Sequence, residues 1–282
     1  MSDFSFVLCA DDYGLSPAVS AGIRQALAAR RINATGAMTN LPDWPNAAPL
    51  LVPYLGHAQI GVHLNLTLGA PLASAPNLAP QGKLPGIGFY LRQRNLPQAM
   101  AGEVAAEIAR QFDSFESAMG RTPDFVDGHQ HVHALRPVRG LLLAEMERRG
   151  WEGRVWLRDS ADKPSRILAR GVETKKALLL AWFAHGFAKA ARSRGFAVNE
   201  GFAGFSAFNP ARDYASDFET YLRAPGPRHL VMCHPGRVDD ALAALDPVTI
   251  TREQELDFLL GDAFPDLLAR AGASLDFSKM SA

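Results

Sequence analysis

Hydrophobic positions along the chain keep two rhythms that alternate from one end to the other. Short, nearly unbroken apolar runs, residues 4–10 first among them, read as strands buried on both faces. Between these runs, apolar residues recur three and four apart, the mark of a helix turning one face to a core. After the first run, Ser16 and Pro17 supply an N-cap and a first helical residue, and Val19, Ile23, Ala26 and Leu27 carry a helix to about Arg30. Residues 34–38 predict a second strand, 44–54 a helix interrupted or capped by Pro49 and Pro53, and 59–66 a third strand holding His63. Residues 68–97 are rich in Pro and Gly and keep no period. A loop of that length inside a compact domain is usually functional or disordered.

The second half continues the rhythm. Residues 98–119 form an amphipathic helix with Val104, Ile108, Phe112 and Phe115 on one stripe. Phe125 and Val126 make a fourth strand, 138–149 a helix and 154–158 a fifth strand. Residues 175–194 predict one long helix whose face of Leu178, Leu179, Trp182, Phe183 and Phe187 needs a partner, on the same body or on a second subunit. Residues 196–204 and 229–233 are the sixth and seventh strands, 253–271 a closing helix and 273–277 a last strand. Strand then helix, seven or eight times, predicts an α/β fold: a (β/α) barrel of seven or eight parallel strands, in a single domain over residues 1–282. An open doubly wound sheet is the runner-up, but no Gly-rich phosphate loop follows the first strand.

Composition narrows the class. Lys plus Arg number 29 and so do Asp plus Glu, so no electrostatic footprint for nucleic acid or an anionic membrane is expected. Asp3, Asp11 and Asp12 interrupt the first apolar run, and the later run at 177–184 is too short for a bilayer. Cys9 and Cys233, the only cysteines, lie inside strand-like runs and read as buried free thiols of a cytoplasmic protein.

The chemistry gathers at strand ends. Asp127, His129, His131 and His133 recur at every second position, so a continuing strand would set them on one face. Imidazole is the commonest protein ligand for transition metals, against the plainer readings of a polar loop or hydrogen-bonded core histidines. Asp11–Asp12, His63, the Asp127 cluster, Arg158 and His234 all close predicted strands, and in a barrel those ends converge on the face where active sites lie. Asp12, His63 and His129 together offer a carboxylate and two imidazoles with positions left open, the composition of a catalytic divalent-metal site. Asp11 and Asp12, adjacent at a strand end, would point in different directions, so that one could bind a metal while the other faces substrate.

Four stretches, Ala10-Asp11-Asp12-Tyr13-Gly14, Gly61-Val62-His63-Leu64-Asn65, Asp127-Gly128-His129-Gln130-His131-Val132-His133 and Cys233-His234-Pro235-Gly236, resemble in order the motifs of the YdjC/ChbG family. These are carbohydrate deacetylases distantly related to NodB-type polysaccharide deacetylases. Tyr13 stands where phenylalanine is common and Gly128 where serine is common. The resemblance implies a barrel, often a homodimer, using one magnesium or zinc ion on a small carbohydrate substrate. It implies Asp12, His63 and His129 as ligands, Asp11 as general base and a protonated His234 as general acid. Asp127, His131, His133, Arg158 and Asn65 are candidates to support those groups or touch substrate, with Arg158 holding Asp11 ionised. His57, His185 and His229 are expected to be bystanders. Phe89 and Tyr90 in the long loop are candidates to stack on sugar rings or to meet a second subunit. Two other classes compete: a glycoside hydrolase with Asp11 and Asp127 as its carboxylates, and a sugar-binding protein that needs the ligands but neither Asp11 nor His234.

Overall fold

The computed structural model describes residues 4–276 and 278. Its elements run β1 (Phe4–Tyr13), α1 (Pro17–Ala28), β2 (Ala34–Ala37), α2 (Trp44–Ala47) and β3 (Gln59–Leu64). Then come α3 (Ile87–Leu91), α4 (Gln98–Met119), β4 (Phe125–Gly128), α5 (Arg136–Arg148) and β5 (Trp156–Leu157). They are followed by α6 (Pro164–Arg170), α7 (Thr174–Phe183), α8 (Phe187–Arg192), β6 (Phe202–Ala203) and α9 (Tyr214–Tyr221). The chain ends on β7 (His229–Cys233), α10 (Asp240–Leu245), α11 (Ile250–Leu260), α12 (Ala263–Ala271) and β8 (Ala273–Leu275).

The strands pair in the order β5-β4-β3-β2-β1-β7-β6, all parallel, with β8 on the first residues of β1. Read around a circle from β6, that order follows the sequence, as in a barrel and unlike a doubly wound sheet, whose order reverses. The fold is α/β and (β/α) barrel-like. Its two ends approach through the stretch leading into β6: Leu157 N–H donates to Ala197 O at 2.9 Å and Leu157 bridges Val198.

Alternation along the strands sorts the core. Phe6, Leu8 and Ala10 of β1 join the large cluster under the helices, while Val7 and Cys9 join Ala34, Phe125, Trp156, Phe202, Leu230 and Met232 inside the sheet. Phe125 stacks on Trp156 with ring centroids 4.6 Å apart. Gly61 makes that possible, because a Cβ there would come within 2.6 Å of the Phe125 ring.

Several expected elements are broken or shortened. The helix predicted over 175–194 is two, because Gly186 turns left-handed (φ 84°) past the end of α7. Phe187 is buried, but Leu179 and Trp182 remain exposed. The closing helix starts earlier, at Ile250, and is interrupted at Gly261. Residues 44–54 give one α turn and then a 3-10 stretch carrying Pro49 and Pro53. The fifth and sixth strands keep only two ladder residues each. Phe277, predicted in the last strand, lies outside the described residues. The long loop is ordered by α4: Glu103 accepts from Asn77 and Leu78 N–H, and Glu107 from Leu72 N–H. Tyr90 is buried there, donating to Leu66 O, so its ring is core and not a sugar platform. Both cysteines are buried and free. Among the described residues no helix is long and apolar enough to cross a membrane.

His229, taken as a bystander, is a core group. Gly226 N–H points at Nδ1 (3.5 Å), and Nε2–H therefore donates to Tyr221 O (2.9 Å). Burial and the Arg170 charge push this imidazole down to about 4. The unfolded chain thus binds the extra proton between its ordinary 6.5 and 4, so stability rises with pH across that window and is lost as pH falls through it. Denaturant midpoints measured from pH 6.5 to 4.5 should fall steeply in the parent and less steeply in His229→Gln. Equal slopes would show that His229 does not titrate there.

Candidate active site

The site begins with a defect in a strand. β1 and β2 match Ala10 with Thr35, but the next pair is Tyr13 with Ala37, so β1 carries one extra residue. Asp12 takes up the excess in the left-handed region, φ 71°. Two successive strand residues ordinarily point to opposite faces; a bulge re-aims them. Both carboxylates therefore reach buried partners at the carboxyl end of the sheet.

Asp12 Oδ1 lies 3.3 Å from His63 Nε2 and 3.0 Å from His129 Nδ1. One donor atom from each of these three residues falls within 4.8 Å of the others, a group able to hold a metal ion. His63 Nδ1–H donates to Asp127 Oδ1 at 2.7 Å, which fixes the ring with Nε2 toward Asp12, as the carboxylate behind a metal-binding histidine does. Gly36 leaves room for this pair, since a Cβ there would lie 3.1 Å from Asp127 Oδ1 and from His63 Cβ.

Asp11 belongs to a different partner. Arg158, directly after β5, donates from Nη1 and Nη2 to its two oxygens, both at 2.6 Å, and Nη2 also meets Asp127 Oδ2 at 2.5 Å. Burial would raise the Asp11 carboxyl, but the Arg158 guanidinium and the His63 ring hold it well below its usual range. Burial likewise works against an ionised Asp12, yet the Arg252 and His129 interactions keep it well below the ordinary value. His234, after β7, sets Nε2 4.0 Å from Asp11 Oδ2. Burial pushes its ring down to about 4 against the pull of Asp12 and Asp11.

The cluster buries three carboxylates, Asp11, Asp12 and Asp127, against two guanidiniums, Arg158 and Arg252. The remaining negative charge demands a cation. In the protein alone the proton on His63 answers it: burial opposes that charge, but Asp127 and Asp11 push the ring up to about 10. A carboxylate, two imidazoles and a surplus negative charge are a donor set that fits a divalent ion.

The histidine run does not share one face. β4 stops at Gly128, and Gln130 (φ 51°) and His131 (φ 60°) are left-handed within a 3-10 turn over His129–Ala134. The three rings therefore part. His129 faces Asp12, His131 Nδ1 meets Ser160 Oγ (3.1 Å) between Phe202 and Phe205, and His133 Nε2–H donates to Arg158 O (2.8 Å). Burial holds His131 well below its ordinary value and takes His133 down to about 4. Asn65 spends its amide on the loop, accepting from Thr67 and Leu68 N–H and donating to Leu68 O and Asn40 Oδ1.

Two groups escaped the sequence reading. Arg252 Nη2 donates to Asp12 Oδ2 at 2.7 Å, and Glu255 accepts from His234 N–H at 2.6 Å. Both lie on α11, whose buried residues include Arg252, Glu255, Leu256 and Leu259. The signal was present: at the i, i+3, i+4 and i+7 positions, two of four inward residues are charged.

The sequence profile of the YdjC-like proteins matches residues 5–270. The chain belongs to the YdjC-like family. Among its relatives, a chitooligosaccharide deacetylase of Enterobacter sp. (strain 638) is 35% identical over 156 residues, 54% of this chain and 60% of that protein. One of Yersinia pestis (strain Pestoides F) is 36% identical over 144 residues, 49% of this chain and 54% of that protein. The aligned part thus spans little more than half of each curated relative. An Enterococcus faecalis V583 crystal structure, named for cellobiose-phosphate cleavage, superimposes over 100% of both chains with a TM-score of 0.73 at 21% identity. At that identity the likeness concerns the fold of this YdjC-like chain alone.

Gly36→Ala tests the packing behind His63. Its methyl would press the His63–Asp127 pair by a few tenths of an ångström. The variant should fold, yet bind zinc or cobalt about 10- to 100-fold more weakly, the usual effect of disturbing a group that orients a ligand. Calorimetric titration checks this, and parent-like affinity would free the pair from any role at Asp12.

Proposed function

We propose that this YdjC-like protein is a metal-dependent hydrolase that removes N-acetyl groups from an amino sugar or a short oligosaccharide. One observation carries the reading: donor atoms of Asp12, His63 and His129 lie within 4.8 Å of one another, beside an Asp11 Oδ2 that is 4.0 Å from His234 Nε2. The chitooligosaccharide deacetylases among its relatives support the substrate class. Asp12, His63 and His129 would hold the ion, and two imidazoles favour zinc over magnesium. When bound, the ion supplies Lewis acidity at the acyl carbonyl and makes a water more acidic.

The protein's own groups move the protons. Asp11 accepts the proton of the attacking water. Its grip on Arg158 keeps it ionised and aimed, and also makes it a weak base, which suits a water already acidified. His234 protonates the departing amine. Because its ring rests neutral, its proton arrives during turnover, and Asp11 Oδ2 at 4.0 Å is the near source. Products are acetate and the free amine. A glycosidase pair needs one carboxyl raised and protonated, whereas Asp11 and Asp127 both face the Arg158 guanidinium. Free buried thiols suit a reducing cytoplasm. Leu168, Leu179 and Trp182, exposed on α6 and α7, would be covered in a homodimer.

Acetate release over a panel of N-acetylated sugars, with metal-stripped and metal-restored protein, tests the reading directly. Activity that survives stripping, or no acetate from any sugar, would end it.

The neighbouring aspartates should separate cleanly. Asp12→Asn should lose metal and with it activity, partly restored at saturating metal. Asp11→Asn should keep the metal while turnover falls about 10²- to 10⁴-fold, roughly 3 to 5 kcal/mol of barrier. Metal analysis beside steady-state kinetics reads both, and the opposite pattern would exchange the two roles.

A further inference from the structure

The arginine on α11 has a more specific consequence. Asp12 presents two unlike oxygens. Oδ1 faces His129 Nδ1 at 3.0 Å and His63 Nε2 at 3.3 Å, while Oδ2 accepts from Arg252 Nη2 at 2.7 Å. Arg252 is itself held from three sides. The same Nη2 reaches Asp246 Oδ2 at 2.8 Å, Nε donates to Val248 O at 3.0 Å, and Gly236 N–H donates to its backbone carbonyl at 3.1 Å. The side chain is 1% exposed. A guanidinium stays charged at any pH a folded protein meets, and its planar fork does not swivel off a partner as an ammonium can.

Carboxylates bind cations through one oxygen or two. We propose that Arg252 is a positioning residue that makes Asp12 a one-oxygen ligand. With Oδ2 taken by Arg252, only Oδ1 would be offered on the side of the two histidines, which would leave a bound ion room for water and for the acyl oxygen. Catalytic sites differ from structural ones in that open position. The arginine also sets a positive charge against the ligand carboxylate, so it weakens the hold on a dication while preserving reactivity. A purely structural arginine would do the reverse, because its loss would loosen Asp12 and weaken the metal.

This rests on the reading that Asp12, His63 and His129 hold a metal, and the opposite signs make it testable. Metal-stripped parent, Arg252→Gln and Arg252→Lys are titrated with Co²⁺, following affinity and the visible absorption band, and acetate release is then measured. Arg252→Gln should bind Co²⁺ at least as tightly as the parent, with a shifted band that reports an added oxygen ligand, while turnover drops tenfold or more. Arg252→Lys, which keeps the charge but not the fork, should fall between. Weaker binding with the parent's band would overturn the proposal and leave Arg252 as scaffold, as would parent-like behaviour throughout. Should Arg252→Gln fail to fold, Arg252→Lys decides, and a parent-like band and affinity there refute the idea. A parent that binds no Co²⁺ removes the metal reading and this inference together; a parent that binds it beside an unaltered Arg252→Gln removes this inference alone.

Discussion

One guanidinium holds the active face together. Arg158 has no exposed surface, grips both oxygens of Asp11, touches Asp127, and lends its carbonyl to His133. Its partners come from β1 and β4, and Arg158 itself follows β5. Along the sheet path, β5 and β1 are four strand spacings apart, roughly 19 Å if the sheet were flat. A 2.6 Å ion pair across that span exists only because the sheet curls round and Leu157 meets Ala197. The buried ion pair therefore depends on the curled sheet. Removing the arginine would strip the buried Asp11 carboxylate of its guanidinium and leave Asp127 with His63 alone, a loss of about 3–5 kcal/mol in comparable buried pairs.

Around that centre, environment separates side chains of the same type. His63 sits between carboxylates and is pushed up, whereas His131, His133 and His234, buried with weaker acidic company, are pushed down. Asp11 and Asp12, adjacent in the chain, are divided between Arg158 and Arg252 by a single bulge. The strained backbone at Asp12 thus serves an electrostatic purpose, since it lets two neighbouring charges each have a counter-ion. The helix α11 completes the enclosure from the other side. It touches both the Asp12 carboxylate and the backbone of His234.

Much of this was legible in the residues. The alternation of strand-like and helix-like runs is a local property of side-chain spacing, and it located β1, β3, α4 and β7 with little error. The short strands β5 and β6 were drawn too long, because apolar runs report burial and not how many ladder bonds form. The long helix over 175–194 was overdrawn for a related reason: periodicity survives a break that one glycine at a positive φ makes. The small helices α3, α6, α9 and α10 were missed. They owe their formation to docking on the body and carry too few turns for a period to show.

The amino-acid sequence alone determined the class of fold, the strand ends that carry the chemistry, and the types of donor gathered there, because each depends on near neighbours in the chain. Only the tertiary structure decided which donor faces which. It turned His129, His131 and His133 to three separate partners by ending β4 at Gly128, where a period of two would have kept them together. It brought Arg252 against Asp12 from 240 positions away, and Asp11 against Arg158 from 147. Pairings of that kind have no local signature, since nothing near either residue in the chain records the other. Burial then makes them obligatory: a charge withdrawn from water must find its partner wherever the fold supplies one.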